Sequence, residues 1–131
     1  MNIRVRLLAA LLALFPLLFF SCGPDEEEGR HPEKFYQEIW CREQGGRREA
    51  RLADRTRCDC LTSTHAVEFD FGPKWAEALG QSLHYSVMTG KKAGVVLILE
   101  GPDDKKYLDR LRRITAHFEI PVDFWIMRPP S

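Results

Sequence analysis

The run Gly94-Val95-Val96-Leu97-Ile98-Leu99 constrains this chain more than any other feature. It is apolar throughout and of strand length. It predicts a strand without a wet side, which must be covered on both faces. The flanking sequence supplies the cover. Before it, Lys74 to Thr89 predicts a helix whose Trp75, Ala78, Leu79, Ser82, Leu83 and Ser86 share one face, ended by Gly90. After it, Gly101-Pro102-Asp103 opens another helix with Tyr107, Leu108, Leu111, Ile114, Thr115 and Phe118 as its stripe. Pro121 to Met127 predicts a last strand.

Upstream, Pro32 suits a first helical turn, and Phe35, Tyr36, Ile39 and Trp40 recur at helical spacing up to Gly45-Gly46. Arg47–Ala53 and Thr56–Leu61, joined at Asp54-Arg55, predict a hairpin. Beyond the loop Thr62-Ser63-Thr64, Ala66-Val67-Glu68-Phe69-Asp70-Phe71 alternates as a strand with Val67, Phe69 and Phe71 on one face, and Gly72-Pro73 breaks it. The order is αβββαβαβ. A meander followed by crossover helices predicts an α/β fold with a mixed central sheet flanked by helices. The chain has 131 residues, enough for one domain, which we place at residues 32–131.

Residues 1–21 do not belong to that domain. Arg4 and Arg6 precede an apolar run, Leu7 to Phe20, followed by Ser21-Cys22-Gly23. A basic start, about 14 apolar residues and a small residue at the break predict an export signal, because a transmembrane helix needs about 20. The segment resembles a bacterial lipoprotein signal, and by that resemblance Cys22 becomes a lipidated N-terminus. This implies membrane attachment in a bacterial cell envelope. A soluble exported chain and an uncleaved anchor remain open. Residues 22–31 form a tether whose Asp25, Glu26, Glu27 and Glu28 carry four acids.

Overall charge is balanced, with 19 basic and 19 acidic residues. Losing Arg4 and Arg6 leaves a mature chain of net −2. Setting aside the four tether acids leaves residues 30–131 at net +2. A zero balance argues against a histone-like coat but leaves room for a local basic patch. No Cys-x-x-Cys pair is present, which argues against a zinc ribbon.

Three carboxylates converge on this scheme. Asp59 lies in the second strand, and Glu68 and Asp70 lie two apart in the third, on the face opposite Val67, Phe69 and Phe71. Such an oxygen set suits Mg²⁺ or Mn²⁺. On the next helix, Lys74, Gln81 and Tyr85 fall within about 40° of one another. A cation, an amide and a phenol so aligned can face phosphate or a metal-bound water. Plainer readings stay open: Asp59 pairing with Arg57 or Arg51, Glu68 and Asp70 on a wet strand face, and Gln81 and Tyr85 as packing residues.

An αβββαβ core, an acid in the second strand, Glu-x-Asp in the third and Gln-x-x-x-Tyr in the following helix resemble the PD-(D/E)XK nuclease superfamily, nearest its Holliday-junction-resolvase-like and RecB-like branches. The similarity covers roughly residues 33–127. It implies a restriction-endonuclease-like core, Asp59 and Glu68 as Mg²⁺ ligands, and Gln81 and Tyr85 supporting substrate or the metal site. Glu49 stands in for the acid the family carries near its first helix, with Glu38 as competitor. The family has lysine where this chain has Asp70. Lys74 replaces that lysine from the helix start, or Asp70 is a third ligand and the lysine role is unfilled.

Arg47, Arg51 and Arg57, with Arg42, Arg48 and Arg55, crowd the first helix end and the hairpin, and Lys91-Lys92 adds a second basic point. Arginine forks fit phosphate, so these residues are candidates for binding DNA or RNA; a charged hairpin in solvent is the alternative. Cys58 and Cys60 alternate with Asp59 and are expected on the opposite face, toward Cys41 on the first helix. Export implies an oxidising space, so a Cys41–Cys60 disulfide is expected, with Cys41–Cys58 as alternate. Two functions follow: an envelope-anchored, metal-dependent nuclease, or an inactive nuclease fold serving as a binding or structural lipoprotein. An unrelated α/β lipoprotein is the third reading, and a second copy of the chain is a further candidate partner.

Overall fold

The computed structural model describes residues 30–131. The export signal, Cys22 and the acidic run up to Gly29 lie outside the described residues. Helix α1 spans Glu33–Glu43, after Pro32 at φ −65°. Strands β1 (Arg47–Arg51), β2 (Arg57–Leu61) and β3 (His65–Phe71) follow. A 3₁₀ turn, Gly72–Lys74, leads into α2 (Trp75–Thr89), then β4 (Lys92–Ile98), α3 (Lys105–His117) and β5 (Val122–Met127). Among the described residues no helix is long and apolar enough to cross a membrane.

The five strands form one mixed sheet in the order β1-β2-β3-β4-β5. β1, β2 and β3 pair antiparallel, while β3, β4 and β5 pair parallel. This is the α/β architecture the element order predicts. The apolar run becomes β4, and from Ala93 to Leu99 every apolar side chain is at most 1% exposed. It is sandwiched as its lack of alternation requires. On one face Tyr36, Trp40 and Cys41 of α1 pack on Val67, Phe69, Val96 and Ile98. On the other, Ala78 and Leu79 of α2 and Leu108 and Leu111 of α3 pack on Val95, Leu97 and Leu99.

Two glycines are needed for close approach. A Cβ on Gly94 would stand 2.9 Å from the Trp125 ring and 3.0 Å from Val67. Its absence lets Trp125 lie across β4 and meet Trp40, with ring centroids 5.0 Å apart. A Cβ on Gly46 would stand 2.5 Å and 2.8 Å from the two sulfurs of Cys60 and Cys41. These cysteines form a disulfide with a Cα–Cα distance of 5.8 Å, tying α1 to β2.

Strand β2 departs from simple alternation. Cys60 faces α1, but Cys58 joins Ala50, Ala66 and Tyr85 on the α2 side. The expectation that both cysteines share a face is therefore corrected. The strand swivels at Asp59, and only Cys60 is presented to Cys41. Cys58 is a buried free thiol whose Sγ donates to the carbonyls of Cys60, at 3.3 Å, and Val67, at 3.6 Å.

Candidate active site

The swivel in β2 builds the site. The β2–β3 ladder covers only Cys60↔Val67 and Leu61↔Ala66. At the next step the Asp59 carboxylate replaces a backbone acceptor: its Oδ2 takes the Phe69 N–H at 2.8 Å. Glu68 and Asp70 flank Phe69 and point away from the α1 face. Both are buried, at 6% and 4% exposure. An acid on a strand covered by a helix has lost most of its hydration, which disfavours its charged form.

The ionisation of these groups shows how closely they gather. Burial pushes the Glu68 carboxyl well up, and the neighbouring Asp59 and Glu33 push it further; the nearby Tyr85 hydroxyl opposes the shift. Asp59 is raised by burial against the pull of the Phe69 N–H. Asp70 is pushed up to about 6 by burial, with Lys74 opposing. Lys74 Nζ lies 4.0 Å from Asp70 Oδ1, and most of its side chain is in solvent. Glu68 Oε2 is buried with no hydrogen-bond partner.

Helix α2 brings its predicted stripe over these acids. The Tyr85 hydroxyl donates to Gln81 Oε1 at 3.3 Å, and Gln81 Nε2 donates to Glu77 Oε1 at 3.2 Å. Burial and the charges of Glu68 and Asp59 push the Tyr85 phenol up, so it stays a donor. Lys74 thus stands at Asp70 and Tyr85 at Glu68, and Gln81 reaches the cluster through the Tyr85 hydroxyl.

Helix α1 contributes a residue that the sequence reading missed. Burial pushes Glu33, in its first turn, up to about 7, with Asp59 and Asp70 adding to the shift. Its Oε1 accepts a hydrogen bond from Gln37 Nε2 at 2.8 Å, and Gln37 Oε1 is a second buried oxygen with no partner. An acid in a first turn ordinarily complements the helix dipole and carries no other message. The available signal was Glu33-x-x-x-Gln37, one helical turn apart beside the buried Tyr36. Glu38, by contrast, pairs with Arg48 at 3.4 Å on the surface. Glu49 sits at φ 50° and pairs with Arg57 at 3.2 Å; its charge reaches Asp59 from the edge strand.

The four acids, Glu33, Asp59, Glu68 and Asp70, therefore come from α1, β2 and β3. They influence one another's protonation, yet among the described residues no three His, Cys, Asp or Glu side chains are set to grip one ion. The cluster resembles a protonated carboxyl assembly whose charges have no full compensation. Of the basic candidates, Arg57 is paired with Glu49, and Lys91 Nζ donates to the Ser63 carbonyl at 2.8 Å. Arg47, Arg51 and Lys92 are exposed. They lie on the β1 edge and at the start of β4. Compared with known proteins, the chain matches no family model, no curated protein and no solved structure.

Proposed function

We propose that this domain is a Mg²⁺- or Mn²⁺-dependent phosphodiesterase of the restriction-endonuclease-like kind, held at a bacterial envelope by a lipid on Cys22. The observation that carries the reading is the buried Glu68 oxygen without a donor, set among three further acids and beside Tyr85. Four acids raised by burial and by one another have a demand that only protons or a cation can meet. Asp59, Glu68 and Asp70 would hold the ion, with Glu33 joining from α1. Side-chain rearrangement is needed to bring three of them onto one centre.

When bound, the ion supplies a hydroxide at neutral pH and neutralises phosphate charge. The chain's own residues do the rest. Tyr85 sets its hydroxyl beside Glu68, where it opposes the rise of that carboxyl. Gln81 orients the Tyr85 hydroxyl. Lys74, beside Asp70 yet largely solvated, places an ammonium where a phosphate oxygen or the attacking water would stand. The products expected from the resemblance are 5′-phosphates.

A second reading is favoured by a specific observation. Asp70 occupies the usual lysine position, and among the described residues no three ligands already converge. A nuclease fold without turnover, retained as a binding lipoprotein, has these properties. Cleavage of DNA and RNA by the full chain in Mg²⁺, compared with Glu68→Gln and Lys74→Ala, separates the two. Loss of cleavage in both variants supports the enzyme. Cleavage unchanged in Glu68→Gln, or none in the wild type with either ion, overturns it.

A further inference from the structure

The outer face of α3 carries a charge pattern that the candidate active site does not use. Lys105–His117 contains Lys105, Lys106, Arg110, Arg112 and Arg113 against a single acid, Asp109. That acid is taken by Lys105 at 2.7 Å. Lys106, Arg110 and Arg113 stand at i, i+4 and i+7, within about 60° of one another, opposite the buried Leu108, Leu111 and Thr115. All three are exposed, and among the described residues none has an acid within ion-pairing distance.

The row begins beside the acidic cluster. α3 follows β4 and the 3₁₀ turn follows β3; these strands are parallel, so both segments start from one end of the sheet. There the Tyr107 ring packs against Gly72, where a Cβ would stand 2.7 Å from it. Lys106 and Arg110 lie over that same ring, at 5.0 Å and 5.5 Å. Tyr107 thus joins the row to the turn that carries Lys74. From Lys106 to Arg113 the helix rises about 10.5 Å, close to three phosphate steps of one strand at about 3.4 Å each along a duplex axis.

We infer that Lys106, Arg110 and Arg113 form a track for the phosphate backbone of a nucleic acid, leading toward Lys74 and the carboxylates. The inference rests on the proposed function for its choice of a phosphodiester partner. Charge complementarity sets the class of partner, and contacts made to phosphate oxygens position a backbone without reading its sequence. The apolar stripe of α3 is spent on the sheet. Phe118, expected in that stripe, instead stands 66% exposed at the helix C-cap, and one ring off the line of the basic row is too little apolar face to seat the helix in lipid, which disfavours an anionic membrane as its occupant.

Fluorescence anisotropy of the full chain in non-ionic detergent tests this. The probes are a short DNA duplex and the RNA duplex of the same sequence, in chelator, so that binding does not depend on the ion. The triple variant Lys106→Ala, Arg110→Ala, Arg113→Ala should weaken both by at least about tenfold and lower the log–log salt slope by about 2 to 3, as three lost phosphate contacts require. Arg47→Ala with Arg51→Ala tests the competing hairpin surface, and the triple variant should lose more affinity than this pair. The inference is overturned if the triple variant binds like wild type, if the Arg47/Arg51 pair carries the loss, or if wild type binds phosphatidylglycerol vesicles but neither duplex. Binding that needs the row but is never followed by cleavage would sink the nuclease reading alone. Cleavage with undiminished affinity in the triple variant would sink the track alone.

Discussion

Asp59 accepts the backbone N–H of Phe69 through its side chain, at 2.8 Å, where a regular ladder would use a carbonyl. One carboxylate therefore both closes the sheet between β2 and β3 and belongs to the acidic cluster. The two roles separate by substitution. Asp59→Asn keeps an acceptor and removes a charge, so it should leave thermal stability equal or higher in chelator while weakening Mg²⁺ binding. Asp59→Ala leaves the buried N–H unpaired and should cost about 1–3 kcal/mol. Denaturant melts and calorimetry with Mg²⁺ on both variants check this; equal stability of the two would contradict it.

Stability in chelator should fall as pH rises toward 7. Glu33 at about 7 and Asp70 at about 6 hold protons more tightly in the folded chain than their ordinary values of 4.5 and 3.8 allow. Between those limits the folded state binds more protons than the unfolded one, so the stabilisation is full below the ordinary values and is lost through the raised ones. Asp54, held low by Thr56, and Asp109, held low by Lys105, act in the opposite sense but below their ordinary 3.8, outside this window. Glu68, pushed up to about 10, and Asp59, also raised, act in the same sense, so thermal melts across the window should decline, and Glu33→Gln with Asp70→Asn should lessen the decline without abolishing it. Mg²⁺ should flatten it too, by offsetting the freed charges. A wild-type melting temperature rising steadily through the window would refute the account.

The Cys41–Cys60 bond closes 19 residues, so its loss in Cys41→Ser with Cys60→Ser should cost about 3 kcal/mol by the chain-entropy argument. Burial pushes the Cys58 thiol up to about 11. It should resist alkylation in the native protein and react on unfolding. Mass spectrometry of non-reduced peptides checks both. Gly46→Ala should impair oxidation of the pair, because its methyl would meet both sulfurs. Normal disulfide yield in that variant would count against the packing described.

Tyr85 should matter through Glu68 rather than through contact with substrate. Tyr85→Phe removes the hydroxyl that opposes the rise of the Glu68 carboxyl. Apparent Mg²⁺ affinity should fall several-fold and its pH midpoint should move upward, with little change in fold. Titrations of the variant at two pH values measure this. A uniform loss of affinity at both, with no shift of the midpoint, would assign Tyr85 a purely packing role.

Periodicity determined much of this protein. The unbroken Gly94–Leu99 run, the alternation of Val67, Phe69 and Phe71, and the helical stripes of α2 and α3 are local signals, because burial of a face is written every second or every third to fourth residue. They yield the element order, the mixed sheet, and the placement of Glu68, Asp70, Gln81 and Tyr85. The Cys41–Cys60 pair was also within reach, though the alternate with Cys58 could be dismissed only once β2 was seen to turn over at Asp59.

Tertiary structure decided what no local period encodes. Glu33 joins the acids because α1 packs across the sheet with its first turn near enough for Asp59 and Asp70 to act on it, and nothing in Pro32-Glu33 records that packing. The row on α3 lies beside Lys74 because parallel pairing of β3 and β4 starts both following segments from one end of the sheet. Sequence spacing specifies which side chains share a face. Which faces meet depends on strand pairing and helix packing between residues far apart in the chain, and there burial, not periodicity, sets the chemistry of the acids.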